Sequence, residues 1–109
     1  MPVLAARANA FVERHKDIAE RVPTGVPAEL KKLYYDVANS VNPSSMAALM
    51  NLVPMSQLLF GSDFPYVPCA VTANGVDHFG FSISDLQAVN RENATRLFRR
   101  LSSTPIGTQ

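Results

Sequence analysis

Gln57-Leu58-Leu59-Phe60-Gly61-Ser62-Asp63-Phe64-Pro65 decides how this chain is to be read. The run 57–60 is apolar with no polar alternation, which predicts a short strand covered on both faces. It stops abruptly in Gly, Ser, Asp and Pro. A carboxylate just past a buried strand stands at that strand's C-terminal end. Ligands bind at that end in α/β folds, and in closed β/α barrels especially. Gly61 permits close backbone approach and Pro65 stiffens the exit. Asp63 is therefore the first candidate for chemistry, as a metal ligand or as a proton acceptor. The competing reading is an Asp that caps the following turn through its own backbone.

Working outward, Leu33-Tyr34-Tyr35-Asp36-Val37 is a second short strand, aromatic and β-branched. Between the two strands, Asn42-Pro43 reads as a helix N-cap followed by Pro at the first helical position. Met46, Leu49, Met50 and Val53 then form one apolar stripe, and Pro54 closes the helix. Upstream, Leu4, Ala8, Phe11, His15, Ile18 and Val22 alternate in steps of four and three. That spacing predicts a single helix of about five turns, ended by Pro23 and Gly25. Residues 28–32 add a short helical turn. Downstream, 66–81 shows no periodicity and reads as a loop. Ser84 with Gln87, or Ser82 with Asp85, opens a further helix as a capping box. Leu86 and Val89 continue it, Asn90 or Asn93 breaks or recaps it, and Ala94, Leu97, Phe98 and Leu101 carry a last stripe. Residues 102–109 read as a frayed tail.

The order helix, strand, helix, strand, helix predicts an α/β fold with parallel strands joined by crossovers. Two strands are too few for a covered parallel sheet. Both would be edges with unpaired backbone groups, which invite association. The chain thus looks like the last part of a longer α/β protein, or like one that completes its sheet by self-association.

Composition narrows the function. Of 109 residues, 47% are hydrophobic and 17% charged, enough apolar surface for a core. Ten Lys+Arg against nine Asp+Glu leave a net +1. No field of that size attracts nucleic acid or an anionic membrane. A lone cysteine, Cys69, excludes an internal disulfide scaffold. The opening Met-Pro-Val-Leu-Ala-Ala-Arg lacks the basic segment of a signal peptide, so a cytoplasmic location is expected.

Three segments carry a resemblance. Residues 33–38 (Leu-Tyr-Tyr-Asp-Val-Ala), 58–68 (Leu-Leu-Phe-Gly-Ser-Asp-Phe-Pro-Tyr-Val-Pro) and 93–98 (Asn-Ala-Thr-Arg-Leu-Phe) occur in that order. Together they resemble the C-terminal part of the amidohydrolase-related family. That branch of the metal-dependent hydrolases includes aminocarboxymuconate-semialdehyde, γ-resorcylate and 6-methylsalicylate decarboxylases. The resemblance implies the C-terminal fragment of a (β/α)8 TIM barrel, with 33–37 as strand seven and 57–60 as strand eight. Residues 1–101 would form this part and 102–109 a tail. It also implies a divalent metal, Zn or Mn, in the full-length parent. Asp63 would be both metal ligand and catalytic carboxylate, acting on a small carboxylic or aromatic acid by hydrolysis or by loss of CO2. The family's His-x-His pair and later metal-binding histidines have no counterpart here. The chain alone would then lack a complete active site and hold no metal.

Other residues have plain readings. His15 falls on the apolar seam of the first helix and reads as a core-edge histidine. His78 reads as a solvated loop histidine that approaches substrate only in a complete barrel. Asp36 faces the same rim as Asp63, or caps the turn toward Asn39. Phe64 and Tyr66 line an aromatic pocket or pack the rim. Cys69 reads as a buried or semi-buried inert thiol, and Arg96, Arg99 and Arg100 as a solvated face. Asn93-Ala94-Thr95 matches a glycosylation sequon but lies in a helical pattern. The rival to the enzyme reading is a free-standing, non-catalytic α/β interaction module.

Overall fold

The computed structural model describes residues 2–102. At its centre are two parallel strands, β1 (Tyr35–Asp36) and β2 (Leu58–Leu59), with Tyr35 opposite Leu58 and Asp36 opposite Leu59. Both are shorter than the sequence suggests. The crossover between them is α4 (Pro43–Leu52) and a 3-10 turn, Met55–Gln57. α4 starts as expected, with the Asn42 side chain accepting from the Ser45 N–H at 2.9 Å and Pro43 in the first turn. Its stripe packs through Met46 and Leu49, with Val53 just beyond, while Met50 remains 42% exposed. These three residues, Val37, Leu58, Val76 and Val89 make up the main buried apolar cluster.

N-terminal to this core lie α1 (Pro2–Glu13), α2 (Lys16–Ala19) and α3 (Val26–Leu30). The single five-turn helix is thus corrected to two helices. Its stripe finds little to pack on, with Leu4 55% and Phe11 54% exposed, and helices in proteins owe most of their stability to a packed face. At the break, the Arg14 N–H tightens back onto the Phe11 carbonyl and His15 adopts an extended backbone.

The second correction concerns 66–81. α5 (Cys69–His78) occupies most of the expected loop. It buries Thr72 and Val76, one turn apart, and Phe79 packs against the core just beyond its end. At Gly75 it passes close to the β1–α4 loop, where a Cβ would make an ordinary van der Waals contact with Val41 at 3.5 Å.

The last helical stretch begins where the Ser82 hydroxyl accepts from the Asp85 N–H at 3.1 Å. The Ser82–Asp85 pair, not Ser84–Gln87, is therefore the cap. The stretch runs through α6 (Ile83–Gln87), a π-turn (Ala88–Glu92) and α7 (Asn93–Leu97), and α8 (Arg99–Ser102) follows. Asn93 does not break it. Of the tail at 102–109, all but Ser102 lies outside the described residues.

The expectation of two bare strand edges needs a third correction. The Phe60 N–H, just past β2, donates to the Val89 carbonyl in the π-turn at 3.0 Å. The Leu58 carbonyl accepts from Asn93 Nδ2 at 2.8 Å. A helix, not a strand, satisfies these groups of β2, because the π-turn's widened ring frees a carbonyl to point outward. Among the described residues, no helix is long and apolar enough to cross a membrane.

Candidate functional site at the C-terminal rim of the strand pair

Because β1 and β2 are parallel, the segments leaving them emerge at one rim. Asp36 ends β1, and its Oδ1 accepts from the Ala38 N–H at 2.9 Å, closing a local turn. The turn-capping reading of Asp36 therefore holds. Its side chain also lies against Gly61, where a Cβ would stand 2.8 Å from both Asp36 Cβ and Cγ. This is the close approach that the glycine serves.

Beyond these, the chain turns through two left-handed residues, Asn39 (φ 56) and Asp63 (φ 65). Asn and Asp are the non-glycine residues that tolerate this conformation best. They meet across the rim, with Asn39 Nδ2 donating to Asp63 Oδ2 at 3.3 Å. Asp63 is exposed. The turn after it is capped by the backbone of Asp63 itself, as the competing reading expects, with help from Ser62. The Asp63 carbonyl accepts from the Tyr66 and Val67 N–H groups, and the Ser62 hydroxyl accepts from the Phe64 N–H at 3.3 Å. Among the described residues, the Asp63 carboxylate makes no bond within its own turn, and its partner is the amide of Asn39. Ser62 Oγ also lies 3.2 Å from Cys69 Sγ, tying the rim to the start of α5, where Cys69 is exposed and not buried as expected.

The two histidines lie elsewhere. His78 ends α5, about 14 Å of helix rise from Cys69, with Nδ1 2.7 Å from the Asn74 carbonyl. It is a helix-end residue, not a loop residue. His15 is exposed rather than at a core edge. Its ring stacks on Phe11 at 4.2 Å, with Nδ1 2.8 Å from the Phe11 carbonyl. Among the described residues, no three of His, Cys, Asp and Glu gather to hold a metal ion. Phe64 and Tyr66 are 71% and 86% exposed.

Asn93 is the supporting residue that local reading missed. It is 1% exposed, and its amide nitrogen donates to the carbonyls of Met55 (2.6 Å) and Leu58 (2.8 Å). Its oxygen accepts from Arg96 Nη2 at 2.8 Å, and Arg96 also reaches the Ser56 carbonyl at 3.0 Å. Arg96 is therefore a clasp on the entry to β2 rather than part of a solvated face. On the other strand, Tyr35 donates its hydroxyl to the Leu30 carbonyl at 2.8 Å, and burial pushes its phenol pKa up.

A crystal structure described as amidohydrolase II superposes on this chain with a TM-score of 0.69 and 24% identity, over 90% of the chain. The chain has the fold of one stretch of that amidohydrolase. It spans 31% of the length of that structure. No protein-family model and no curated protein matches the sequence.

Proposed function

We propose that this chain forms the closing β/α units of an amidohydrolase-family enzyme, in which Asp63 is the catalytic carboxylate at the mouth. The enzyme would be a metal-dependent hydrolase or non-oxidative decarboxylase acting on a small carboxylic or aromatic acid. One observation carries the reading. In a chain that folds like part of an amidohydrolase, an exposed carboxylate stands where two parallel strands open, its side chain meeting Asn39 among the described residues. Ligands of such folds bind at this end of the strands.

The described residues do not by themselves fit a divalent metal. One exposed carboxylate and one amide meet at the rim, whereas a catalytic zinc site takes about three protein ligands. In this proposal Asp63 is one ligand, or a close neighbour of the ion, and the other ligands come from outside the described residues. The chain's own contribution is a positioned proton acceptor. The Asn39 amide fixes the face that Asp63 presents, and Gly61 against Asp36 fixes the distance between the two exits.

The test uses the protein purified in the form in which its own cell makes it. Its divalent metal content is measured, together with CO2 release and hydrolysis over a panel of hydroxybenzoates and related acids. Bound metal, and turnover that a chelator abolishes, are the expected results. CO2 release then assigns decarboxylation. A metal-free protein inert to the whole panel would favour the second reading, a non-catalytic module that binds a partner or itself. Its exposed apolar side chains speak for that reading, Ile83 at 78% among them.

A further inference from the structure

Asn74-Gly75 lies in the second half of α5. Of the chain's seven asparagines, Asn74 is the one followed by glycine. An asparagine side chain is open to attack by the backbone nitrogen of the next residue. Glycine hinders that attack least, because it has no Cβ and its backbone turns freely. Asn74 is exposed, and among the described residues no hydrogen bond occupies its side-chain amide. Asn39, followed by Ser40, is the next least hindered, and its amide is held by Asp63.

The fold keeps the reacting pair apart. Within α5 the Gly75 N–H is turned along the axis toward the carbonyl four residues back, while the Asn74 side chain projects outward. The Asn74 carbonyl, on the same peptide unit, meets His78 Nδ1 at 2.7 Å. A carbonyl can only accept, so that ring nitrogen donates. The peptide that must rotate is thus held on both sides. Yet α5 is weakly built at this point. Glycine inside a helix costs about 1 kcal/mol relative to alanine. Pro68 gives the helix no side-chain cap, and its buried residues are Thr72 and Val76. Such a segment opens locally without unfolding the whole chain.

We propose that Asn74 is a site of spontaneous deamidation, gated by local opening of α5. On opening, the Gly75 nitrogen bonds to Asn74 Cγ, its proton and the side-chain NH2 leave together as ammonia, and a cyclic imide closes. One water then adds at either imide carbonyl and gives aspartate or isoaspartate, with no oxidant or reductant involved. Isoaspartate inserts an extra backbone carbon after residue 74, so Thr72 and Val76 no longer share one helix face. Aspartate places a carboxylate three residues before Asp77, a like-charge pair on one helix surface. Either product loosens α5 from the core, so its packed state has a built-in lifetime. None of this depends on Asp63.

The whole chain is incubated at neutral pH, folded in buffer and unfolded in guanidinium chloride. The peptide carrying Asn74 is followed by mass spectrometry, with isoaspartate resolved by chromatography. Deuterium exchange of the Gly75 amide gives the fraction of time that α5 is open. Conversion at Asn74 in the folded chain is expected to be at least about tenfold slower than in the unfolded chain, and to equal the unfolded rate multiplied by that open fraction. Val76→Ala weakens the anchor of α5 and leaves the reacting pair intact, so it raises opening and conversion by the same factor, about tenfold. Gly75→Ala, whose Cβ meets Val41 at an ordinary 3.5 Å, cuts conversion at least about fivefold. A folded rate equal to the unfolded one, a folded rate more than about tenfold away from that product, or earlier conversion at Asn39 would each overturn the proposal.

Discussion

Asn93 makes the most demanding polar contacts in the molecule. Replacing it with Ala leaves the Met55 and Leu58 carbonyls without its amide and frees the Arg96 guanidinium from its side-chain partner. The Met55 carbonyl keeps the Leu58 N–H, but the Leu58 carbonyl is left unpaired at a cost of about 1–3 kcal/mol, so Asn93→Ala is expected to lower stability in urea by about that much. A change below about 0.5 kcal/mol would show that the clasp carries no load. Gly61 makes a separate steric claim. Gly61→Ala drives a methyl into Asp36 Cβ and Cγ, and is expected to cost about 1–3 kcal/mol, as overpacking does. Asp36→Gly in the same chain removes the clash, so the double variant should lose less than the two single variants summed. The position of Asp63 at the rim was legible at this scale because turn residues follow a covered strand. Asn93 was not, because its partners lie 38 and 35 residues away, where no local window reaches. Within a helical pattern, an Asn reads only as a weak helix former.

At the scale of elements, α4 shows what the sequence carries and α5 what it hides. α4 has a side-chain cap, Pro at its start and an apolar stripe, and all three signals agree. α5 turns a threonine and a valine inward, with a glycine where the β1–α4 loop comes close. That glycine, taken alone, argues for a loop. The length of the first helix was overread because periodicity reports a face and not whether anything covers it. The edge of β2 depends on the π-turn, and this can be measured. The Phe60 amide is expected to exchange slowly with deuterium, alongside Val37, whose N–H donates to the Leu59 carbonyl at 3.0 Å. Deleting exposed Asn90 removes the extra residue of the π-turn and restores a regular helix. In that variant Phe60 loses its protection while Val37 keeps it. Fast exchange at Phe60 in the unaltered chain would remove the helix from the β2 edge.

The whole molecule is more extended than its length calls for. Its radius of gyration is 16.6 Å, with extents of 55 × 31 × 28 Å, against about 13 Å for a compact domain of this size. Its accessible surface is 7762 Å2, against about 6,000 Å2. The surplus is partly apolar, with Leu4, Phe11, Phe64 and Ile83 more than half exposed. Surface of this kind is where further β/α units would pack in the proposed enzyme. The 109-residue chain by itself is therefore expected to sediment as self-associated species and to bind a hydrophobic dye. A cooperative, dye-silent monomer at micromolar concentration would count against the proposed setting. The α/β class and the parallel pairing were legible because short apolar runs alternate with helical stripes. The helix at the β2 edge was not, because it depends on one carbonyl released by a local change of helix type.

The central claim is that the Asp63 carboxylate takes part in chemistry. Turnover of the natively isolated enzyme with Asp63→Asn tests it most directly, because the amide keeps the shape and the Asn39 neighbour while losing the base. The account predicts a fall in kcat of about 10²–10⁴-fold, the range for a general acid–base group, with an unchanged unfolding midpoint. Wild-type turnover in the folded Asp63→Asn protein would contradict it.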